Sequence, residues 1–225
     1  MTTAAVYYQH VEHGGKVIDL PVGKVVCIGQ NYQDHIAEMN SLTAPEAPFF
    51  IKPNTALCAM ASAIEIPKNQ GAVHNELEIA VLIKQPLKQA NPSQVGAAIW
   101  GYSLALDLTL REQQARLKQL GRPWEIAKGF DNACPVASFI ASDKIADPQQ
   151  LKFSLQVNGI ARQAGDARHM IRDINALISE MSHHFTLLPG DIVLTGTPAG
   201  VGPLQAADQL QVQLADYFTL QTQVS

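Results

Sequence analysis

The sequence predicts an α+β, strand-rich domain, and three observations lead there. The apolar runs are mostly short, β-branched and bounded by Pro, Gly or Asn. Helical periodicity is confined to a few segments. Strands and helices do not alternate regularly, which argues against a doubly wound sheet, and no internal repeat or low-complexity linker divides the chain. In chain order, the strand-like runs are Lys24 to Ile28, Phe49 to Lys52, Ile79 to Ile83, Tyr102 to Asp107, Phe153 to Val157 and Ile192 to Thr195. The helical patterns are Tyr32 to Met39, Leu108 to Leu120 and Asp173 to His184; in the last, Ile174, Leu177, Ile178 and Met181 recur at helical spacing. The length suits one catalytic domain over residues 1–225, with a short N-terminal strand annex over about residues 1–22.

Composition narrows the function. With 47% hydrophobic and 16% charged residues, both signs scattered, the 225-residue chain reads as globular. A net charge of -4 and the lack of a Lys/Arg stripe argue against nucleic acid as a partner. The N-terminus lacks a basic start followed by an apolar run, and no later stretch approaches membrane-spanning length, so a cytoplasmic protein is expected. Cys27, Cys58 and Cys134 form no Cys-x-x-Cys pair and read as small buried residues; nothing marks a base beside Cys134. The turn Thr195 to Gly200 lacks the Lys-Ser/Thr ending of a phosphate loop.

Chemistry gathers in acids. In His74-Asn75-Glu76-Leu77-Glu78, alternation along a strand puts His74, Glu76 and Glu78 on one face. Two carboxylates entering an apolar run repel and lose hydration unless a cation compensates them. Asp107 ends a second apolar strand. Together the three offer an all-oxygen donor set suited to Mg²⁺ or Mn²⁺. The residues alone also allow a solvated strand face for Glu76 and Glu78 and a helix cap for Asp107. His35 and Glu38 are three apart on a short helix, a spacing that serves either a proton-abstracting dyad or an ordinary surface pair. Lys128, in Pro123 to Asp131, could hold a substrate carboxylate or enolate oxygen, or lie at the surface. His183 and His184 read as helix-end residues, and His10 and His13 carry no metal-like pattern.

In order along the chain, Gly29-Gln30-Asn31-Tyr32 with His35 and Glu38, Phe50-Ile51-Lys52-Pro53, His74 to Glu78, Gly101 to Arg111, Trp124 to Asp131, Val157-Asn158-Gly159, and Leu188 to Asp191 through Thr195 to Pro198 resemble the fumarylacetoacetate hydrolase family, in particular its small acylpyruvate hydrolase and oxaloacetate decarboxylase branch. The resemblance implies a mixed β-roll with a few short helices, a homodimer, and a mobile lid at Tyr32 to Met39. It implies Mg²⁺ or Mn²⁺ on Glu76, Glu78 and Asp107, substrate contacts from Lys128 and Thr197 with Gln114 nearby, and a water-activating dyad of His35 and Glu38. Gln30 also belongs to the expected substrate contacts, and there the chain departs from the Arg that relatives often carry. The implied ligand is a small 2-oxo acid. The expected reaction is metal-dependent cleavage of the C–C bond of an acylpyruvate to pyruvate and a carboxylic acid. Oxaloacetate decarboxylation or keto–enol tautomerisation at the same site is the alternative, and a non-catalytic 2-oxo acid binding protein stands outside the enzyme class.

Overall fold

The short β-branched runs become strands and sort into three sheets. In the computed structural model, which describes residues 8–39, 46 and 48–225, the large sheet runs, in spatial order, Phe49–Lys52 (β2), Val25–Ile28 (β1), Ile192–Leu194 (β12), Leu77–Ile83 (β5), Ile99–Leu106 (β6), Cys134–Val136 (β8) and Leu57–Ala59 (β3), with Ile140–Ala141 (β9) also on β6. It is mixed: β1 with β12 and β3 with β8 are parallel, the rest antiparallel. A second sheet holds Ile160–Asp166 (β11), Lys152–Val157 (β10), Gln209–Leu214 (β14) and Phe218–Gln223 (β15); a third holds Gly202–Leu204 (β13), Val73–Asn75 (β4) and Thr109–Leu110 (β7). Residues 1–7 of the expected N-terminal annex lie outside the described residues.

β5 is buried at every position because the large sheet is covered on both faces. Alternation sends Leu77, Ile79, Val81 and Ile83 into one core layer and Ala80 and Leu82 into the other, beside Cys27, Ala105 and Leu194. Each such aliphatic side chain contributes about 1.5–3 kcal/mol by leaving water, so this central strand is a rigid base for anything mounted on it.

The helices are Gln33–Glu38 (α1), Pro92–Ala98 (α2), Arg111–Gln119 (α3), Glu125–Lys128 (α4) and Ile174–His184 (α5). α5 starts where Asp173 accepts the Ala176 N–H at 2.7 Å. α2 is an addition to the expected set, begun by Pro92 at its first position and a box in which Gln94 accepts the Asn91 N–H at 2.8 Å. α3 starts at Arg111 rather than Leu108, because Thr109 and Leu110 pair with His74 and Val73 as β7. Among the described residues, no helix is long and apolar enough to cross a membrane.

One local expectation is corrected. His74, Glu76 and Glu78 do not share one strand: β4 ends at Asn75, β5 begins at Leu77, and Glu76 sits where the chain passes from the third sheet to the large one. The break breaks the alternation, and His74 stays half-buried outside the acidic cluster.

Candidate active site

Register builds the floor of the site. Glu78 pairs with Ala105 and Leu77 with Leu106, and one step further the Asp107 N–H donates to the Glu76 carbonyl at 2.8 Å. Glu76, Glu78 and Asp107 therefore crowd one end of two adjacent central strands, with a small alanine opposite Glu78. Each offers a carboxylate oxygen, and the three lie within 4.8 Å of one another. They are 5%, 1% and 1% exposed, which excludes the solvated-face reading.

Cations surround them. Lys128 Nζ donates to Glu76 Oε2 and Asp107 Oδ2, both at 2.7 Å, and Arg111 pairs with the other Glu76 oxygen. Lys52, wholly buried, lies 2.8 Å from Asp107 Oδ1 and donates to the carbonyls of Lys128, of Ala133 at 3.0 Å and of Leu108 at 3.3 Å. The Gly196 N–H donates to Glu78 Oε2 at 2.6 Å. These partners set the titration. Burial pulls Glu76 upward, but Lys128, Arg111 and His35 outweigh it and hold its pKa well below the ordinary value. Burial and then the charges of Asp107 and Glu76 push Glu78 well above it. Burial draws Lys128 down, but Asp107 and Glu76 more than compensate and raise it.

This donor set fits a hard divalent cation. It consists of oxygens, one of which, Asp107 Oδ1, is buried near Lys52 but without an aligned hydrogen-bond donor. Among the described residues Glu78 has no cationic partner in contact with it, and burial of such a charge is costly unless something positive joins the cluster.

α1 forms the roof. His35 is buried, its Nδ1 3.5 Å from Glu38 Oε2, within ion-pair range but not placed for a hydrogen bond. Burial lowers the His35 pKa against the opposing pull of Glu76 and Glu38, so the ring is neutral near pH 7. Glu38 accepts the Gly200 N–H at 3.0 and 3.2 Å. The root of the roof is Asn31, whose amide donates to Thr195 O at 2.8 Å and Arg172 O at 3.1 Å and accepts the Arg172 N–H at 2.8 Å. Gly196, at φ +94°, lies so close that a Cβ there would come within 2.6 Å of Asn31 Cβ. Gln30, just before the clamp, takes a left-handed φ of 65° at the cleft wall.

Between roof and floor lies a narrow cleft, about 470 Å³ counting its open mouth, lined by all nine residues anticipated from the sequence except Glu38. Gln30, His35, Glu76, Glu78, Asp107, Gln114, Lys128 and Thr197 face it together; Glu38 stands behind His35. The Thr197 hydroxyl donates to Leu77 O at 2.8 Å and accepts from Gln163 Nε2 at 2.7 Å. Not anticipated were Lys52 under Asp107, Arg111 on Glu76, Lys118 at the mouth, and Gln163. Lys52 did leave a trace, as a charge in the apolar strand Phe-Phe-Ile-Lys. Gln163 left none, because its role arises from β11 meeting Asn75 and Leu77 on distant segments.

A strand-rich α+β scaffold that opens a small cleft on a buried carboxylate cluster able to hold a metal ion, with His35 above, has the make-up of an enzyme. The chain belongs to the fumarylacetoacetate hydrolase family: the model of the Fumarylacetoacetate (FAA) hydrolase C-terminal family matches residues 24–225. It is 51% identical over 218 residues to an oxaloacetate tautomerase of Escherichia coli, covering 96% of this chain and 99% of that one. It superposes on a fumarylacetoacetate hydrolase family protein from Yersinia pestis with a TM-score of 0.95 and 52% identity, over 97% of this chain and 100% of that one. A fumarylpyruvate hydrolase from Pseudomonas aeruginosa, solved with Mn²⁺ and pyruvate, superposes with a TM-score of 0.91 at 31% identity, over 100% and 98% of the two chains.

Proposed function

We propose that the protein is a divalent-metal-dependent tautomerase that interconverts the keto and enol forms of oxaloacetate. The observation that carries this is the buried cluster of Glu76, Glu78 and Asp107 facing a neutral His35 across a narrow cleft. The similarity to an oxaloacetate tautomerase over nearly the whole length of both chains moves the weight from acylpyruvate hydrolysis, the reaction first expected, to this one. Glu76, Glu78 and Asp107 would hold Mg²⁺ or Mn²⁺, the ion named for the Pseudomonas aeruginosa hydrolase structure being Mn²⁺. When bound, such an ion supplies Lewis-acid polarisation of the 2-oxo group.

The chain's own residues supply the rest. Tautomerisation removes a proton at C3 and adds one at the C2 oxygen, with no bond between heavy atoms broken. His35, kept neutral by burial, accepts the C3 proton, and Glu38 beside it steadies the imidazolium that results. Lys128, kept charged by its acidic partners, faces the negative charge that grows on the enolate oxygen. Gln114 and Thr197, which both line the cleft, position the substrate. α1 covers the cleft and limits water, which protects an enolate from side reactions.

A second reading is hydrolysis of an acylpyruvate, favoured by the pairing of His35 with Glu38, which also suits activation of water. One experiment separates the readings. Purified protein with Mg²⁺ or with EDTA is given oxaloacetate, acetylpyruvate and fumarylpyruvate. Enol absorbance is followed alongside pyruvate release. Metal-dependent equilibration of enol and keto oxaloacetate, faster than any pyruvate release, is expected. Pyruvate from the acylpyruvates without such equilibration would replace this proposal with hydrolysis, and no turnover on any of them would remove enzyme activity altogether.

A further inference from the structure

Lys118 sits at the cleft mouth on the same face of α3 as Arg111 and Gln114, at the i, i+3 and i+7 spacing of one helical stripe. Its neighbours on that stripe are engaged: Arg111 donates to Glu76 and to Gln114 Oε1, the latter at 2.7 Å. Lys118 is not. Its ammonium rests 4.9 Å from the centroid of the Trp124 ring, another cleft wall, and makes no ion pair or hydrogen bond among the described residues. A surface lysine free to roam would usually reach water or an acid; this one is held over an aromatic face beside two other cations, Arg111 and Lys128. Partial burial and those two charges lower its pKa from the ordinary lysine value, the mark of an ammonium short of negative neighbours.

Charge balance around the cleft points the same way. The four acids at the floor and roof, Glu38, Glu76, Glu78 and Asp107, are matched in number by Lys52, Arg111, Lys118 and Lys128. A divalent ion on the floor leaves the cleft with two positive charges in excess. A substrate with two carboxylates cancels that excess, and one with a single carboxylate does not. Among the described residues, the cleft cation with no acid or hydrogen-bond partner is the one farthest along the stripe from the acids, where the far end of a short substrate would lie.

We infer that Lys118, seated on Trp124, is the specificity-determining contact for the distal carboxylate of a short dicarboxylic 2-oxo acid. This rests on the proposed reaction for its choice of substrate and adds to it a reason why a C4 diacid is selected over a monoacid. Pyruvate and oxaloacetate differ by that distal carboxylate alone, so they form the probe pair.

The test measures the Kd of each, by calorimetry on Mg²⁺-loaded protein, for wild type, Lys118→Met and Lys118→Arg. Lys118→Met is expected to weaken oxaloacetate about tenfold and to leave pyruvate within about twofold, the size of a lost charge-assisted contact at a partly exposed site. Lys118→Arg should retain most of the preference. Near-ultraviolet dichroism checks that the Trp124 wall is intact. Equal weakening of both ligands, no weakening of either, or wild-type protein that binds oxaloacetate no better than pyruvate overturns the inference. A wild type that shows the Lys118-dependent preference but does not tautomerise oxaloacetate overturns the proposed reaction and leaves the subsite standing.

Discussion

The floor and the roof of the cleft are built by opposite means. The floor is three acids at the ends of two central strands, sealed in core and held by Lys52, Lys128, Arg111 and a backbone N–H. The roof is a single six-residue helix, clamped at Asn31 and tied at its far end by Glu38 on Gly200, with Glu38 one-third exposed. A floor like this is preorganised, with its desolvation cost met during folding. The roof is shorter and held differently, by the buried side chains of His35 and Ile36 and by hydrogen bonds to backbone groups at its two ends. Under the proposed reaction the contrast is a division of labour, in which the floor selects the ligand head and the roof acts on it.

The largest effect that would break this division is at the floor. Glu78→Gln removes a charge from the proposed ligand set, and Mn²⁺ binding should become undetectable by titration, with activity lost as well. The sign of its stability effect is opposite. Glu78 has a raised pKa in the folded chain, so its contribution to stability is full below the ordinary carboxylate pKa and is lost as pH rises through the folded value. Metal-free Glu78→Gln should therefore match wild type in acid and exceed its melting temperature at neutral pH. Equal Mn²⁺ affinity in the two proteins would remove Glu78 from the floor.

Next is the roof. His35→Ala should lower kcat by about 10²–10⁴-fold while Mn²⁺ affinity stays within about twofold, as expected if floor and roof are independent. A parallel loss of metal binding would show that they are not. Third, Lys52→Met leaves Asp107 buried without its inner partner and should cost about 3–5 kcal/mol in urea unfolding, even though Lys52 does not line the cleft. The smallest effect is in pH. Because burial lowers the His35 pKa, the acid limb of kcat/KM should lie below the ordinary histidine value of 6.5, and Glu38→Gln, which removes an upward pull, should move it lower still. A limb above 6.5 would assign it to another group.

How much of this was legible in the sequence follows the same contrast. The strands that carry the floor were readable, because β5 is apolar apart from Glu78 and β6 is a largely apolar run that leads directly into Asp107. Their convergence was not readable from spacing: alternation suggested a shared face with His74, whereas the chain changes sheets at Glu76, and it is the pairing of Asp107 with Glu76 across strands that gathers the cluster. Only the collinear family motifs favoured a metal site over a cap or a solvated face. The roof helix was visible as a pattern, but its anchors are backbone groups of Thr195, Arg172 and Gly200, more than a hundred residues away, and backbone groups leave no signature in composition. β14 and β15 were not picked out, since they are rich in Gln and Thr and face solvent on one side, nor was β11, which is mostly exposed and has Ile160 as its only large apolar residue.

The Asn31 clamp also matters to anyone who would rebuild the molecule. One amide grips Thr195, just past β12 and next to the Gly196 N–H that binds Glu78, and Arg172 ahead of α5, so the path of the backbone is tied to both at that residue. It marks a splice junction. A roof taken from a relative with a different reaction can be joined immediately after Asn31 without disturbing the register below, and the chimera would ask directly how much of the chemistry travels with six residues of helix.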